Sequence, residues 1–174
     1  MSIHNIVLIG MPGCGKSSIG LMISKILQID FYDLDRVIEE KAQTSIPDLF
    51  KLGEDYFRKL ESSAVSAVYQ KQAAVISTGG GIVTRPDNMM LLRQTGIIFY
   101  IERSIEMILD SADFTNRPLL AANRSRIYTL QKERIHLYEK YCDFRIINDK
   151  SLESAAKEIA AIMRENKDKH RHIT

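Results

Sequence analysis

The sequence predicts a three-layer α/β/α fold, in which helices cover both faces of a five-stranded parallel sheet. Short apolar runs alternate with segments of helical periodicity along most of the chain. The first apolar run leads directly into a glycine-rich turn, and no repeat, low-complexity tract or linker divides the 174 residues. We therefore expect a single domain over residues 1–174, with its ligands at the carboxyl ends of the strands.

The predicted strands are short apolar runs that end at glycine or polar residues. Continuous apolar runs of this length are typical of strands that are buried on both faces. They cover residues 5–10, 30–35, 73–77, 96–101 and 144–147.

Helices are predicted between the strands from apolar residues spaced three and four apart. One follows the glycine-rich turn, and a short one begins after Ser45, which precedes Pro47 and has Asp48 three residues on. Longer helices are predicted over about residues 55–70 and from Leu152 onward.

Two segments break the pattern. Residues 110–125 interrupt the periodicity, and we predict that they form a mobile lid inserted into the domain. Beyond the last apolar stripe, we expect a frayed tail over about residues 166–174.

Composition narrows the class of partner. The net charge is +2, so the chain has no general field for nucleic acid or anionic lipid, and no apolar run approaches the length of a membrane span. Two cysteines cannot build a disulfide framework, and the first residues lack the basic region and cleavage site of a signal peptide. We expect a cytoplasmic protein, a monomer, that binds small molecules.

The stretch GMPGCGKSS is the most specific motif. Gly10, Gly15, Lys16 and Ser17 match G-x-x-x-x-G-K-S between a predicted strand and a predicted helix. Backbone N–H groups and the helix N-terminus would hold ATP phosphates, Lys16 would reach the β- and γ-phosphates, and Ser17 would bind Mg²⁺. The alternative is a tight turn with a solvated lysine. The predicted nucleotide-binding residues here are Gly13, Cys14, Gly15, Lys16, Ser17 and Ser18.

Two carboxylates follow the second strand. If the strand continues through Asp35, then Asp33 and Asp35 point to the same side, toward the ligand crevice. One could support a metal ion while the other takes a proton from an acceptor hydroxyl. Because the third strand ends in Ser77 without a nearby acidic residue, Asp33 is the better candidate for Mg²⁺. Alternatively, Asp35 only caps the following helix.

Arg134 falls on the apolar face of a predicted helix, where a charged group needs an anionic partner. That partner is either a ligand or an internal carboxylate. Arg58 is equally open, because Glu61 lies one turn further on. The segment Thr78 to Gly81 would let an acceptor approach bare backbone, or would be a flexible turn.

Six blocks occur together in an order that resembles the shikimate kinase family: GMPGCGKSS, FYDLD, GEDYFRKLE, STGGG, NRPLL and RIHLYEKY. They extend from Gly10 to Tyr141 and cover most of the chain. The resemblance implies a P-loop kinase of the nucleoside-monophosphate-kinase-like fold. It also implies transfer of the γ-phosphate of ATP to the 3-hydroxyl of shikimate, in the pathway to chorismate and the aromatic amino acids.

The resemblance also assigns residue roles. It implies that Asp35 binds the shikimate hydroxyls and accepts the proton, that Asp33 lies near Mg²⁺ through water, and that Arg117 is the lid arginine that acts on the phosphates with Lys16. The segment Asn148 to Ser151, with Ser151 as the predicted nucleotide-binding residue, resembles the loop that flanks the adenine. Asp110 departs from relatives that carry a basic residue near the adenine. The residues implied for shikimate are Asp35, Arg58, Gly79, Gly80, Gly81 and Arg134.

Three alternatives stay open at this stage. A P-loop kinase of a nucleoside monophosphate or a sugar acid would share the loop and the sheet, and a non-catalytic ATP-binding module would share the loop alone. Cys14 is either a tolerated small residue, or a thiol made reactive by Lys16 and the helix N-terminus.

Overall fold

The structure of the protein is a computed structural model that describes residues 4–111 and 125–171. Within these residues, five strands form one sheet in the order β2-β3-β1-β4-β5, and every neighbouring pair is parallel. The predicted α/β class with a five-stranded parallel sheet is confirmed. The strands are β1 (Asn5–Ile9), β2 (Asp30–Asp33), β3 (Ala74–Ser77), β4 (Gly96–Glu102) and β5 (Phe144–Ile147).

Helices fill the connections between these strands. A short 3₁₀ helix spans Ile82–Thr84. The α-helices are α1 (Lys16–Leu27), α2 (Leu34–Ala42), α3 (Ile46–Lys51), α4 (Glu54–Val68), α5 (Pro86–Thr95), α6 (Ile105–Ser111), α7 (Arg126–Tyr141) and α8 (Leu152–Arg171).

The central strands are covered on both faces. Every residue of β1 and of β3 is buried, although successive side chains of a strand point to opposite faces. Helices α1 and α8 pack together, α4 packs against α2, α3 and α5, and α7 contacts β4 and the 3₁₀ helix. Burial of this apolar surface is the main favourable contribution to folding.

The sheet order fixes where a ligand can bind. Strand β1 lies between β3 and β4, so the chain leaves β1 where the strand order reverses. The carboxyl ends of parallel strands form an open crevice at such a switch point. The glycine-rich turn after Ile9 therefore lies at the centre of this crevice.

The second strand is shorter than predicted. It ends at Asp33, and α2 begins at Leu34, where the sequence predicts a strand through residue 35. The Asp33 side chain accepts a hydrogen bond from the backbone N–H of Asp35 at 3.1 Å, so Asp33 is the helix cap. The alternation argument for Asp35 was wrong, and so was the alternative that Asp35 caps the helix.

Other boundaries agree within one or two residues, with two omissions. Helices α5 and α6 have no counterpart among the predicted elements, and α5 begins at Pro86, a residue suited to a first helical turn. The last helix continues to Arg171, past residue 166, where the predicted tail begins. Residues 112–124, most of the predicted lid, and residues 172–174 lie outside the described residues.

Candidate active site

A cavity of about 860 Å³ opens at the carboxyl ends of the strands. Its wall combines the glycine-rich turn and start of α1 with residues that follow β2, β3 and β4 and with side chains of α3, α4 and α7. The charged groups in this wall are Lys16, Asp35, Glu39, Arg58, Glu61, Arg103 and Arg134. Residues that are distant in sequence thus share one site.

The turn from Gly10 to Ser17 has the geometry of a phosphate-binding loop. Gly13 and Gly15 adopt φ values of 84° and 100°, which favour glycine. A Cβ on Gly15 would lie 2.6 Å from the Leu152 side chain, so a larger residue would clash as well. No side chain caps the start of α1, which leaves its first N–H groups available to an anion.

Lys16 is buried and lies over the loop. Its ammonium donates to the carbonyls of Gly10 and Met11, both at 2.8 Å. The solvated lysine that a mere tight turn would have is therefore not what the structure contains. The ammonium lies within the phosphate-binding loop, where it could exchange these carbonyls for the oxygens of a bound phosphate.

Cys14 faces the protein interior. Its side chain is 0% exposed, and its backbone N–H donates to the Met11 carbonyl at 3.2 Å. The carbonyl of Cys14 accepts from the Asn148 side chain at 2.9 Å, so the end of β5 braces the loop. The sequence predicted Asn148 only as part of a segment that flanks the adenine. Its contact with the glycine-rich loop was missed, because no local pattern links it to a loop 134 residues away.

Ser17, Ser77 and Asp33 form a row across three elements. The hydroxyls of Ser17 and Ser77 are 3.4 Å apart, and Ser77 is the register partner of Asp33 in the neighbouring strand. Asp33 itself is not part of the cavity wall. Hydroxyl and carboxylate oxygens suit Mg²⁺, which keeps several waters and needs few protein ligands. The row fits the ion, and the described residues contain no cluster of three or more His, Cys, Asp or Glu side chains that would be an alternative metal site.

Asp35 lies in the cavity wall, in the first turn of α2. A Cβ on Gly79 would lie 3.2 Å from the Asp35 carboxylate. The carboxylate therefore borders the loop after β3, where an acceptor can approach the glycine backbone. The structure brings Asp35 to the predicted place by a helical turn rather than by strand alternation.

Arg58 and Glu61 form a buried ion pair on α4. Their side chains are 6% and 0% exposed, and Arg58 donates to Glu61 at 2.9 Å and to Glu54 at 3.0 Å. Burial lowers the pKa of Arg58, but Glu61 and Glu54 outweigh it, and the net pKa is raised. The internal partner that the sequence left open for Arg58 exists, although the arginine also lines the cavity.

Burial raises the pKa of Glu61, and the nearby charges of Arg58 and Arg134 oppose this shift. One carboxylate oxygen, Oε1, is buried without a hydrogen-bond partner among the described residues. It lies 2.9 Å from the position of a Cβ on Gly79, so the bare glycine backbone is needed there.

Arg134 is buried at 7% exposure and lines the same cavity from α7. Four residues on, the Tyr138 hydroxyl donates to the Gly80 carbonyl, and its ring stacks on Tyr100 with centroids 5.1 Å apart. Burial is the main cause of the raised pKa of Tyr138, so the phenol stays a donor. Tyr138 thus connects the arginine helix to the loop after β3.

The three glycines after Thr78 are closely packed. A Cβ on Gly81 would lie 2.2 Å from the Arg58 guanidinium, and one on Gly80 would lie 2.6 Å from Pro12. These positions exclude side chains because two cavity groups press against the backbone. The reading of this segment as a mere flexible turn therefore does not fit the structure.

Three further residues complete the comparison with the predicted site. The Ser151 hydroxyl accepts from the backbone N–H of Ser154 at 3.0 Å and is not in the cavity wall, whereas its neighbour Leu152 is. Arg117 lies outside the described residues. Arg103, which the sequence reasoning did not select, lines the cavity directly after β4.

Comparisons with known proteins give one consistent result. A family model described as shikimate kinase matches residues 12–164. The shikimate kinase of Clostridium botulinum (strain Alaska E43 / Type E3) is 42% identical over 163 residues, which cover 94% of this chain and 99% of that protein. The shikimate kinase of Clostridium beijerinckii is 40% identical, with 94% and 96% covered.

Solved structures agree. The shikimate kinase from Acinetobacter baumannii in complex with shikimate has a TM-score of 0.89 at 32% identity, with 95% of each chain covered. A gluconokinase from Sinorhizobium meliloti 1021 has a TM-score of 0.61 at 11% identity, with 99% of this chain and 98% of that chain covered, so it shares the fold alone.

A phosphate-binding loop at the switch point of a parallel sheet, facing a carboxylate and two buried arginines, defines a P-loop kinase of a small anionic acceptor. Sequence similarity over nearly the whole length specifies the acceptor. The chain belongs to the shikimate kinase family, and it is an ATP-dependent enzyme that phosphorylates shikimate.

Proposed function

We propose that the cavity residues divide the reaction between a nucleotide side and an acceptor side. The observation that carries this proposal is the position of two buried arginines and Asp35 in the same cavity as the phosphate-binding loop. Arg134 and Arg58 bind the shikimate carboxylate, because both line the cavity and a guanidinium matches a carboxylate with paired N–H donors. Arg58 shares its donors between the substrate and its partners Glu54 and Glu61. Gly79, Gly80 and Gly81 offer backbone to the ring, and Asp35 binds its hydroxyls.

On the nucleotide side, backbone N–H groups of Gly13, Cys14, Gly15 and Ser18 and the ammonium of Lys16 hold the phosphates. Lys16 leaves the Gly10 and Met11 carbonyls to do so. The Cys14 N–H would likewise have to leave the Met11 carbonyl. Ser17 would hold Mg²⁺ directly and Asp33 would hold it through water, while Ser151 would flank the adenine. When bound, the ion neutralises phosphate charge.

The transfer itself is an in-line displacement at the γ-phosphorus. A bond forms from the shikimate 3-oxygen to phosphorus, the bond from phosphorus to the β,γ-bridging oxygen breaks, and ADP leaves with that electron pair. The hydroxyl proton passes to Asp35. Arg117, in the lid predicted over residues 110–125, stabilises the charge on the transferring group, and closure of the lid excludes water.

The enzyme is proposed to act as a cytoplasmic monomer without nucleic-acid partners. Among the described residues, no helix is long and apolar enough to cross a membrane. The net charge of +2 gives no extended field for a polyanion.

The test of this division is an assay of ADP release with ATP, Mg²⁺ and shikimate, run beside gluconate and a panel of nucleoside monophosphates. Of these acceptors, we expect only shikimate to be phosphorylated. Asp35→Asn should lower kcat by about 10²- to 10⁴-fold, since it removes the proton acceptor. Its dissociation constant for shikimate, measured by calorimetry, should change much less. Comparable kcat with Asp35→Asn and the parent would contradict the role of Asp35, and turnover of another acceptor would contradict the acceptor site.

A further inference from the structure

Arg103 occupies a part of the cavity that neither the loop motif nor the acceptor residues explain. It follows the last residue of β4, Glu102, and β4 lies on the opposite side of β1 from β2 and β3. Asp35 follows β2, and Gly79 follows β3. Arg103 is therefore across the phosphate-binding loop from the acceptor side.

Arg103 is half-buried, and the protein leaves one donor of its guanidinium without an acceptor. Its Nε is buried and has no hydrogen-bond partner among the described residues, and no ion pair joins it to a carboxylate there. Several other arginines of the described chain pair with carboxylates: Arg58 with Glu61, Arg93 with Asp143, and Arg145 with Glu102. A buried donor without an acceptor costs free energy, so the unpaired Nε–H of a cationic side chain in a cavity wall indicates a missing anion.

The position of Arg103 in the cavity indicates which anion it binds. Among the ligands of this reaction, the shikimate carboxylate is assigned to Arg58 and Arg134, which line the cavity from α4 and α7. The remaining anion is the polyphosphate of the nucleotide, which the loop after β1 holds next to the end of β4. A guanidinium suits phosphate because its planar set of N–H groups can donate twice to one phosphate group.

We propose that Arg103 binds the phosphate chain of the nucleotide. From the position after the end of β4, its guanidinium adds a second positive charge to that of the Lys16 ammonium in the loop. The inference rests on the proposed nucleotide side of the cavity. The two proposals can be tested separately. Binding of ADP to the parent enzyme tests the nucleotide side, and the change of ADP affinity in an Arg103 variant tests the role of Arg103.

The experiment compares Arg103→Gln and Arg103→Lys with the parent by calorimetry, using ADP, adenosine and shikimate as separate ligands. The lost charge-assisted hydrogen bond should weaken ADP binding by about tenfold to a hundredfold in Arg103→Gln. Arg103→Lys keeps the charge and should lie between the parent and Arg103→Gln. The dissociation constants for adenosine and shikimate should stay within about twofold, because neither ligand carries a phosphate.

Arg164→Gln is the matched control, since this arginine is exposed on α8 and does not line the cavity. It should bind all three ligands as the parent does. Unchanged ADP binding in Arg103→Gln would overturn the proposal, and so would an equal loss of ADP and adenosine, which would indicate contact with the base or sugar. If Arg103→Gln does not fold, the ratio of ADP to adenosine affinity in Arg103→Lys decides instead, and an unchanged ratio overturns the proposal.

Discussion

At the scale of single residues, the buried Glu61 makes the free energy of unfolding depend on pH. Burial raises its pKa above the ordinary value of 4.5, although Arg58 opposes the shift. The folded state therefore holds this proton to a higher pH than the unfolded state does. Stability that is present below pH 4.5 is lost as the pH rises through the folded-state pKa.

Glu61→Gln removes this titration, so the free energy of unfolding of the parent should fall relative to that of the variant as the pH rises above 4.5. Urea unfolding of both proteins across a pH series measures the difference. At the low end of the series, where Glu61 is protonated, the two proteins should have similar free energies of unfolding, because each then presents a neutral acceptor to Arg58. A difference that grows in favour of the parent with rising pH would show that Arg58 controls the titration instead of burial.

The sequence identified site residues where the residue type conflicts with the predicted surroundings of the side chain. Arg134 was identified because a charge on an apolar helix face requires a partner, and it is buried in the cavity wall. Arg103 was missed, and so was the contact of Asn148 with the glycine-rich loop, since both residues follow strands in positions where polar residues are ordinary. Their significance comes from burial and from contacts across the sheet, which a local pattern does not contain.

At the scale of elements, the junction of β2 and α2 gives Asp33 two tasks. Its carboxylate caps α2 through the Asp35 N–H, which fixes the first turn and thus the position of the Asp35 side chain. It is also the proposed outer ligand of Mg²⁺. Periodicity could not locate this junction, because two aspartates separated by one apolar residue suit both a strand end and a helix start.

Two substitutions separate these tasks. Asp33→Ala should lower the free energy of unfolding by about 0.5–2 kcal/mol, whereas Asp33→Asn keeps a good capping group and should change it much less. Both should raise the Mg²⁺ concentration needed for half-maximal activity, since neither retains the carboxylate. Chemical denaturation and a Mg²⁺ titration of the activity give the two readouts. Equal Mg²⁺ requirements in Asp33→Asn and the parent would contradict the role of Asp33 in binding Mg²⁺, and its only remaining role would be to cap α2.

At the scale of the whole molecule, the sheet order separates the two proposed sides of the cavity. The proposed acceptor residues follow β2 and β3 and lie on α4 and α7, whereas the proposed phosphate-binding residues follow β1 and β4. The class of fold was predictable because alternating strands and helices allow few arrangements. The division of the cavity was not, because it depends on the spatial order of the strands, which differs from their order along the chain.

This division predicts that the two ligands stabilise the protein through different residues. A ligand that binds only the folded state at 100 times its dissociation constant raises the free energy of unfolding by about 2.7 kcal/mol. Arg134→Gln should weaken shikimate binding about tenfold or more, as expected for a lost charge-assisted bond to a carboxylate. At fixed ligand concentrations, this variant should lose about 1.4 kcal/mol of the stabilisation by shikimate and keep that by ADP. Urea unfolding of the parent and of Arg134→Gln, with each ligand alone, measures both quantities. An equal loss for ADP and shikimate would mean that Arg134 supports the whole cavity rather than the acceptor side.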